Sequence, residues 1–187
     1  MNTWSSSALL LSASLALSSC GAVQLPSFGG ADKAPLTRSL MASGAVTLVP
    51  PQGFCIDPRS LNQQFALMAR CDTLGAPAAA GGAALALITV SFTTAPEDAA
   101  LPTALETADA AKLARVDAAK SENRAITFRA EGIPPVSDLD VTHWRGTARL
   151  GAHVMGVALY GPMGGRAISS EGREIINDLI RRTRAAS

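Results

Sequence analysis

From Ser169 to Arg184 the chain carries its most demanding pattern. Ile175, Ile176, Leu179, Ile180 and Thr183 recur at helical spacing and fall along one stripe. A stripe of that width must be covered by another layer. Ser169 or Ser170 supplies an N-cap hydroxyl, Glu171 lies in the first turn, and Arg181, Arg182 and Arg184 lie in the last. Each sign of charge sits at the end that the helix dipole favours. A closing helix of this kind needs a sheet to lie on, and the upstream sequence supplies strands.

Leu85 to Phe92 is apolar almost throughout and rich in β-branched residues, as a buried strand is. From Arg124 to Glu131, Ile126, Phe128 and Ala130 alternate with charged or polar neighbours, the pattern of a half-exposed strand. Asp140–Leu150 and Ala152–Tyr160 meet at Gly151 and predict an antiparallel hairpin. Ala45 to Val49 is a shorter run, stopped by Pro50-Pro51. Thr103 and Glu106 form a T-x-x-E capping box, followed by a helical face of Leu105, Ala108, Ala111 and Leu113 to Val116. Asp57-Pro58 matches a helix start and predicts one or two turns over Arg59 to Gln64. Phe65 to Cys71 fits either a strand or a continuation of those turns. Gly75 to Ala84 reads as an Ala/Gly loop. The expected class is α+β: an antiparallel sheet of about five strands with packed helices and a C-terminal amphipathic helix.

The N-terminus has a different character. Leu9 to Leu17 is an apolar run followed by small residues, the layout of a secretory signal peptide, although Met1 to Trp4 lacks Lys and Arg. The run is well short of the ~20 residues of a spanning helix. Leu17-Ser18-Ser19-Cys20 resembles the lipobox of bacterial lipoproteins. That resemblance implies cleavage before Cys20, a diacylglycerol on its thiol and usually a further acyl chain on its amine. Each buried methylene adds about 0.8 kcal/mol to such an anchor. An ordinary secreted protein, cleaved elsewhere, is the alternative. By the lipoprotein sorting logic, Gly21 after the cysteine favours the outer membrane, with the protein facing the periplasm. The expected organisation is a signal peptide over 1–19, a lipidated N-terminus and flexible tether over 20–43, and one domain over 44–187.

Lipid on Cys20 would leave Cys55 and Cys71, an even pair suited to an oxidising compartment. A structural disulfide is expected, its loop closure worth about 3 kcal/mol; two free buried thiols are the other possibility. Two thiols at this spacing are neither a redox CxxC nor a sufficient zinc site. The formal net charge is +1, which argues against a nucleic-acid partner. No GxSxG, HExxH or GxxxxGK[ST] occurs, so the sequence nominates no catalytic residue, metal or cofactor.

Three polar groupings remain. Gly161-Pro-Met-Gly-Gly-Arg166 leads into Ser169-Ser170. There Gly164 and Gly165 would let the backbone approach an anion, Arg166 could fork onto it, and Ser169 and Ser170 would head the helix beside it. A plain strand-to-helix turn explains the same residues. Asp57, Arg59, Arg70 and Asp72 flank the two cysteines and suit structural ion pairs. Asp138, Asp140, His143 and Arg145 crowd one loop-to-strand junction and suit a solvated edge. His143 and His153 are the only histidines. Across a two-residue turn, partners would carry numbers summing to roughly 301, so these two do not face each other. The order of strands, inserted helix, long hairpin and closing helix is similar to that of Mog1/PsbP-like domains, α/β/α sandwiches that act largely as accessory or interaction modules. The resulting expectation is a non-enzymatic, membrane-anchored envelope module that docks an envelope protein. The alternative is a small anionic-ligand binder or weak hydrolase using the Gly161–Arg166 loop, at a concave pocket joining Arg166, the last helix and a second polar group.

Overall fold

The computed structural model describes residues 34–77, 82–122 and 124–186. The signal peptide, Cys20 and most of the tether segment lie outside them. In chain order the strands are β1 (Ser39–Met41), β2 (Val46–Leu48), β3 (Phe54–Ile56), β4 (Phe65–Arg70) and β5 (Leu87–Thr94). Then come helix α1 (Ala104–Ala110), β6 (Ala114–Glu122), β7 (Ala125–Glu131), β8 (Thr142–Leu150), β9 (His153–Tyr160), helix α2 (Ser170–Arg182) and β10 (Arg184–Ala185). Seven strands form one antiparallel sheet in the order β3-β4-β5-β9-β8-β7-β6, and β1-β2-β10 form a second. Within the segment expected as tether, Leu36 bridges Ile56 and Ser39–Met41 pairs with Val46–Leu48.

The expected α+β class with about five strands is therefore corrected: the described residues are mostly β, with two sheets and two α-helices. Three local causes account for the difference. The capping box forms as expected, but the helix ends at Ala110 because Lys112 adopts a left-handed φ of 54°. Leu113 to Val116 then enters β6 rather than prolonging the helical face. The helical turns expected over Arg59 to Gln64 do not form: a turn ends at Ser60, since the Asp57 carboxylate is engaged by the backbone N–H and guanidinium of Arg59. Asn62 similarly accepts from the Gln64 N–H, and β4 starts at the next residue. Short strands β1 and β10 pair with β2 and carry no periodicity long enough to read.

Alternation places the layers. Ile88, Val90 and Phe92 of β5, Trp144 and Ala148 of β8, and Met155, Val157 and Leu159 of β9 are buried on one face. Ile176 and Leu179 of α2 join that cluster. Gly146 lets Ile176 settle against the sheet: a Cβ there would come within 2.7 Å of Ile176 Cγ2. Ala104 and Ala108 of α1 pack on Phe128 and Ala130, on the opposite face of β7. Helix α1 contacts β6 and β7, so on that face no helix among the described residues lies over β4, β5 and β9. Phe65, Leu67, Leu87 and Val154 remain half-exposed there. Among the described residues no helix is long and apolar enough to cross a membrane.

Candidate functional site

Two of the polar groupings meet in one place. Cys55 and Cys71 are joined by a disulfide, with their Cα atoms 4.8 Å apart. Beside it a cleft of about 240 Å³ is lined by Gln52, Arg70, Asp72, Arg166 and Glu171, with Ile175 of α2 as an apolar wall. The cleft thus brings Arg166 and the start of α2 together with a second polar group. Its cations are already partnered. Arg166 donates to both Glu171 carboxylate oxygens, at 2.7 and 2.6 Å, and to the Gly82 carbonyl at 2.9 Å. Arg70 grips Asp72 with both fork nitrogens. The Arg70 guanidinium holds the Asp72 carboxyl below the usual carboxylate range, and Glu171 raises Arg166 above its ordinary value.

The Gly161–Arg166 loop is a strand-to-helix connection with a defined shape. Gly164 has φ 69°, and a Cβ on Gly165 would stand 2.8 Å from the Pro162 carbonyl oxygen. Ser169 is the N-cap: its hydroxyl accepts from the Glu171 N–H at 3.3 Å and donates to the Arg166 carbonyl at 2.7 Å. Ser170 is the first helical residue. Neither serine nor Gly164 nor Gly165 lines the cleft. Asp57 and Arg59 pair with each other away from it.

The His143–Arg145 junction gives a more ordered arrangement than a solvated edge. The hairpin pairs Leu150 with His153 and Trp144 with Leu159, two residues beyond the expected register. His143 consequently meets Tyr160, the rings stacked with centroids 4.6 Å apart. His143 is fully buried and its Nδ1 lies 2.9 Å from the Val141 carbonyl, so Nδ1 carries the proton. Nε2 is then an acceptor and receives Arg145 Nε–H at 2.9 Å. Arg145 Nη2 donates to the Tyr160 hydroxyl at 3.1 Å. Burial, with a smaller push from the Arg145 charge, lowers the His143 pKa and keeps the ring neutral. Burial lowers Arg145 too. Asp140 is spent on the Thr142 N–H and Asp138 on Ser137. His153 lies at the far end of the same hairpin, opposite Thr94 and Leu150. Tyr160 was not singled out from the sequence; the correct hairpin register would have placed it against His143.

The connections beside the His143–Tyr160 pair are apolar. Ile133, Val136 and Val141, on the β7–β8 connection, and Met163, on the β9–α2 connection, are all exposed, Ile133 at 94% and Met163 at 85%. The Asp140 N–H donates to the Gly161 carbonyl at 2.8 Å and ties the two connections together. Among the described residues no group of three His, Cys, Asp or Glu side chains could hold a metal ion.

No protein-family model matches this chain, and no curated protein matches it. Among solved structures it is similar to the solution structure of cyanobacterial PsbP (CyanoP) from Synechocystis sp. PCC 6803. The identity is 12%, over 91% of this chain and 99% of that one, with a TM-score of 0.44. A likeness of this size assigns neither family nor activity.

Proposed function

We propose that the chain is an exported, lipid-anchored module of the bacterial cell envelope that docks a partner protein and catalyses no reaction. The anchor rests on the lipobox resemblance at Cys20, with the outer membrane, facing the periplasm, as the site that Gly21 favours. The Cys55–Cys71 disulfide suits an oxidising compartment of that kind. The observation that carries the docking reading is the apolar end at Ile133, Val136, Val141 and Met163. Large apolar side chains gathered beside one another mark interaction surfaces, whereas scattered ones do not. Residues 132–141 contain Asp138 and Asp140 and no Lys or Arg, so this end would be repelled by an anionic lipid surface and suits a protein.

The test is a photo-crosslinking amino acid placed at Ile133 or Met163 in living cells, with exposed Glu174 on α2 as the control position. A discrete protein adduct from the first two positions only, lost in Val136→Lys, is the expected result. Equal labelling at Glu174, or none at Ile133 and Met163, overturns the docking reading. The cleft between Arg166 and Asp72 favours a second reading, a small-ligand site. Its charges are matched in pairs, so an anion would have to displace Glu171 or Asp72 from its arginine.

A further inference from the structure

Arg145 is a cation without a counter-ion among the described residues. It lies half-buried on the sheet face that carries α1, between Phe128 on β7, which α1 covers, and Ala158 on β9. Its polar partners, His143 Nε2 and the Tyr160 hydroxyl, are both neutral. Among the described residues no carboxylate pairs with it: Asp140 accepts from the Thr142 N–H, and Glu131 pairs with Arg115. The two cleft arginines Arg70 and Arg166, by contrast, are each paired with a carboxylate, Asp72 and Glu171.

The geometry of those two bonds matters. A guanidinium presents five N–H donors in a rigid plane. Nε and the inner hydrogen of Nη2 form its side fork, and here His143 and Tyr160 occupy that fork. The end fork, made of Nη1 and the outer hydrogen of Nη2, has no partner among the described residues. Two parallel N–H bonds at that spacing match the two oxygens of a carboxylate. The fork is also fixed beforehand: Tyr160 is buried and stacked on His143, and the guanidinium lies 5.7 Å from the Tyr160 ring centre. Little side-chain entropy is left to lose on binding.

The surroundings select the rest of the ligand. Tyr160 is paired with Leu87 on β5, while the row through Arg145 runs across Ala158 and Thr89 to Leu67 on β4. Neighbouring strands are about 4.8 Å apart. An apolar group of a few carbons attached to the anion would therefore reach Leu87, which is half-exposed. We propose that Arg145 anchors a binding site for a small aliphatic carboxylate, its end fork holding both oxygens and Leu87 lying against the hydrocarbon end. His143 and Tyr160 are positioning residues in this site. The site adjoins the apolar docking end through the Val141 carbonyl that holds His143, but the carboxylate proposal does not rest on the docking reading.

Butyrate is the probe, with inorganic phosphate as the competing anion chemistry and chloride replaced to keep ionic strength constant. The full-length chain, labelled with nitrogen-15 and held in a non-ionic detergent, is titrated while the Arg145 Nε–H resonance is followed. A saturable shift with a dissociation constant of about 1 mM is expected. Binding should weaken at least about tenfold in Arg145→Lys, which keeps the charge but loses the fork. Leu87→Ser should weaken butyrate and leave acetate unchanged. A shift that never saturates, an affinity unchanged in Arg145→Lys, or phosphate binding as tightly as butyrate each overturns the proposal. The titration of the unsubstituted chain decides the matter even if a variant fails to fold.

Discussion

Replacing Gly172 with alanine should destabilise the protein, although the same change stabilises most helices. Gly172 is in the first turn of α2 and fully helical, where alanine would ordinarily gain up to about 1 kcal/mol. Here the added Cβ would stand 1.9 Å from the Ala167 carbonyl oxygen, 2.3 Å from Trp144 Cδ1 and 2.7 Å from Trp144 Nε1. Two of the three neighbours belong to a buried indole and the third to backbone, so none can swing aside. The first turn of α2 would have to retreat by roughly 1.5 Å to restore ordinary contact, a strain of about 1–3 kcal/mol. That retreat also stretches the 2.7 Å bond from Trp144 Nε1–H to the Ser169 carbonyl. A buried indole N–H left without an acceptor costs about 1–3 kcal/mol more. The net loss is about 3 kcal/mol after subtracting the helix gain, or roughly 6–12 °C in Tm for a domain of this size. Thermal unfolding followed by near-ultraviolet circular dichroism reads it directly, because Trp144 supplies the signal. Glu174→Ala, on an exposed position of the same helix, is the control. If Gly172→Ala melts at or above the temperature of the unsubstituted chain, α2 does not sit on Trp144 at this distance.

Two further outcomes follow from the same contacts. Replacing both Cys55 and Cys71 with alanine should lower stability by about 3 kcal/mol through the freed loop, measurable as a lower urea midpoint. An unchanged midpoint would show that the loop is held by β3–β4 pairing without the bridge. The depressed pKa of His143 makes stability depend on pH in a definite direction. The unfolded chain takes up a proton near pH 6.5 and the folded chain resists it, so the contribution is complete above about 6.5 and declines as pH falls below that value. Urea midpoints from pH 7.5 to 5 should fall for the unsubstituted chain. The decline should be shallower in His143→Gln, which keeps an acceptor for Arg145; equal slopes would place the pH dependence elsewhere.

The elements best marked in the sequence are those whose signals are local. The capping box of Thr103 and Glu106 forms as read, the hydroxyl accepting from the Glu106 N–H and the carboxylate from the Thr103 N–H. The Ser169 cap, the stripe of α2 and the β8–β9 hairpin are local in the same sense. What the sequence conceals depends on partners distant along the chain. Ser39–Met41 and Arg184–Ala185 become strands because β2 offers them an edge, and no three-residue pattern announces that. The Leu113–Val116 segment carries helical spacing, and β6 accommodates it by an irregularity: Arg115 has φ 47° and the register shifts between Ala114 and Asp117, so Leu113 and Val116 both pack on the α1 cluster. The left-handed turn at Lys112 decides for the strand, where no glycine gives warning.

The site shows the same division in its charges. Arg70 and Asp72 lie two positions apart, and Arg166 and Glu171 five, so turns at the strand and helix ends bring each carboxylate back to its arginine. A sequence reader sees free cations in a glycine-rich loop, and the folded chain neutralises them locally. On a strand a carboxylate must sit two positions away on the same face, as Glu122 does for Lys120, or directly across. Side chains two positions apart share a face, and the residues so placed around Arg145 are His143 and Thr147. The positions across from it are Phe128 and Ala158, neither able to carry charge. No short-range pairing can therefore supply Arg145 with an anion, and α1, which covers β6 and β7, brings no carboxylate to it among the described contacts. An unmet charge on this sheet is thus a consequence of alternation and register. The Gly161–Arg166 loop drew attention by its composition, yet the strand position holds the free fork.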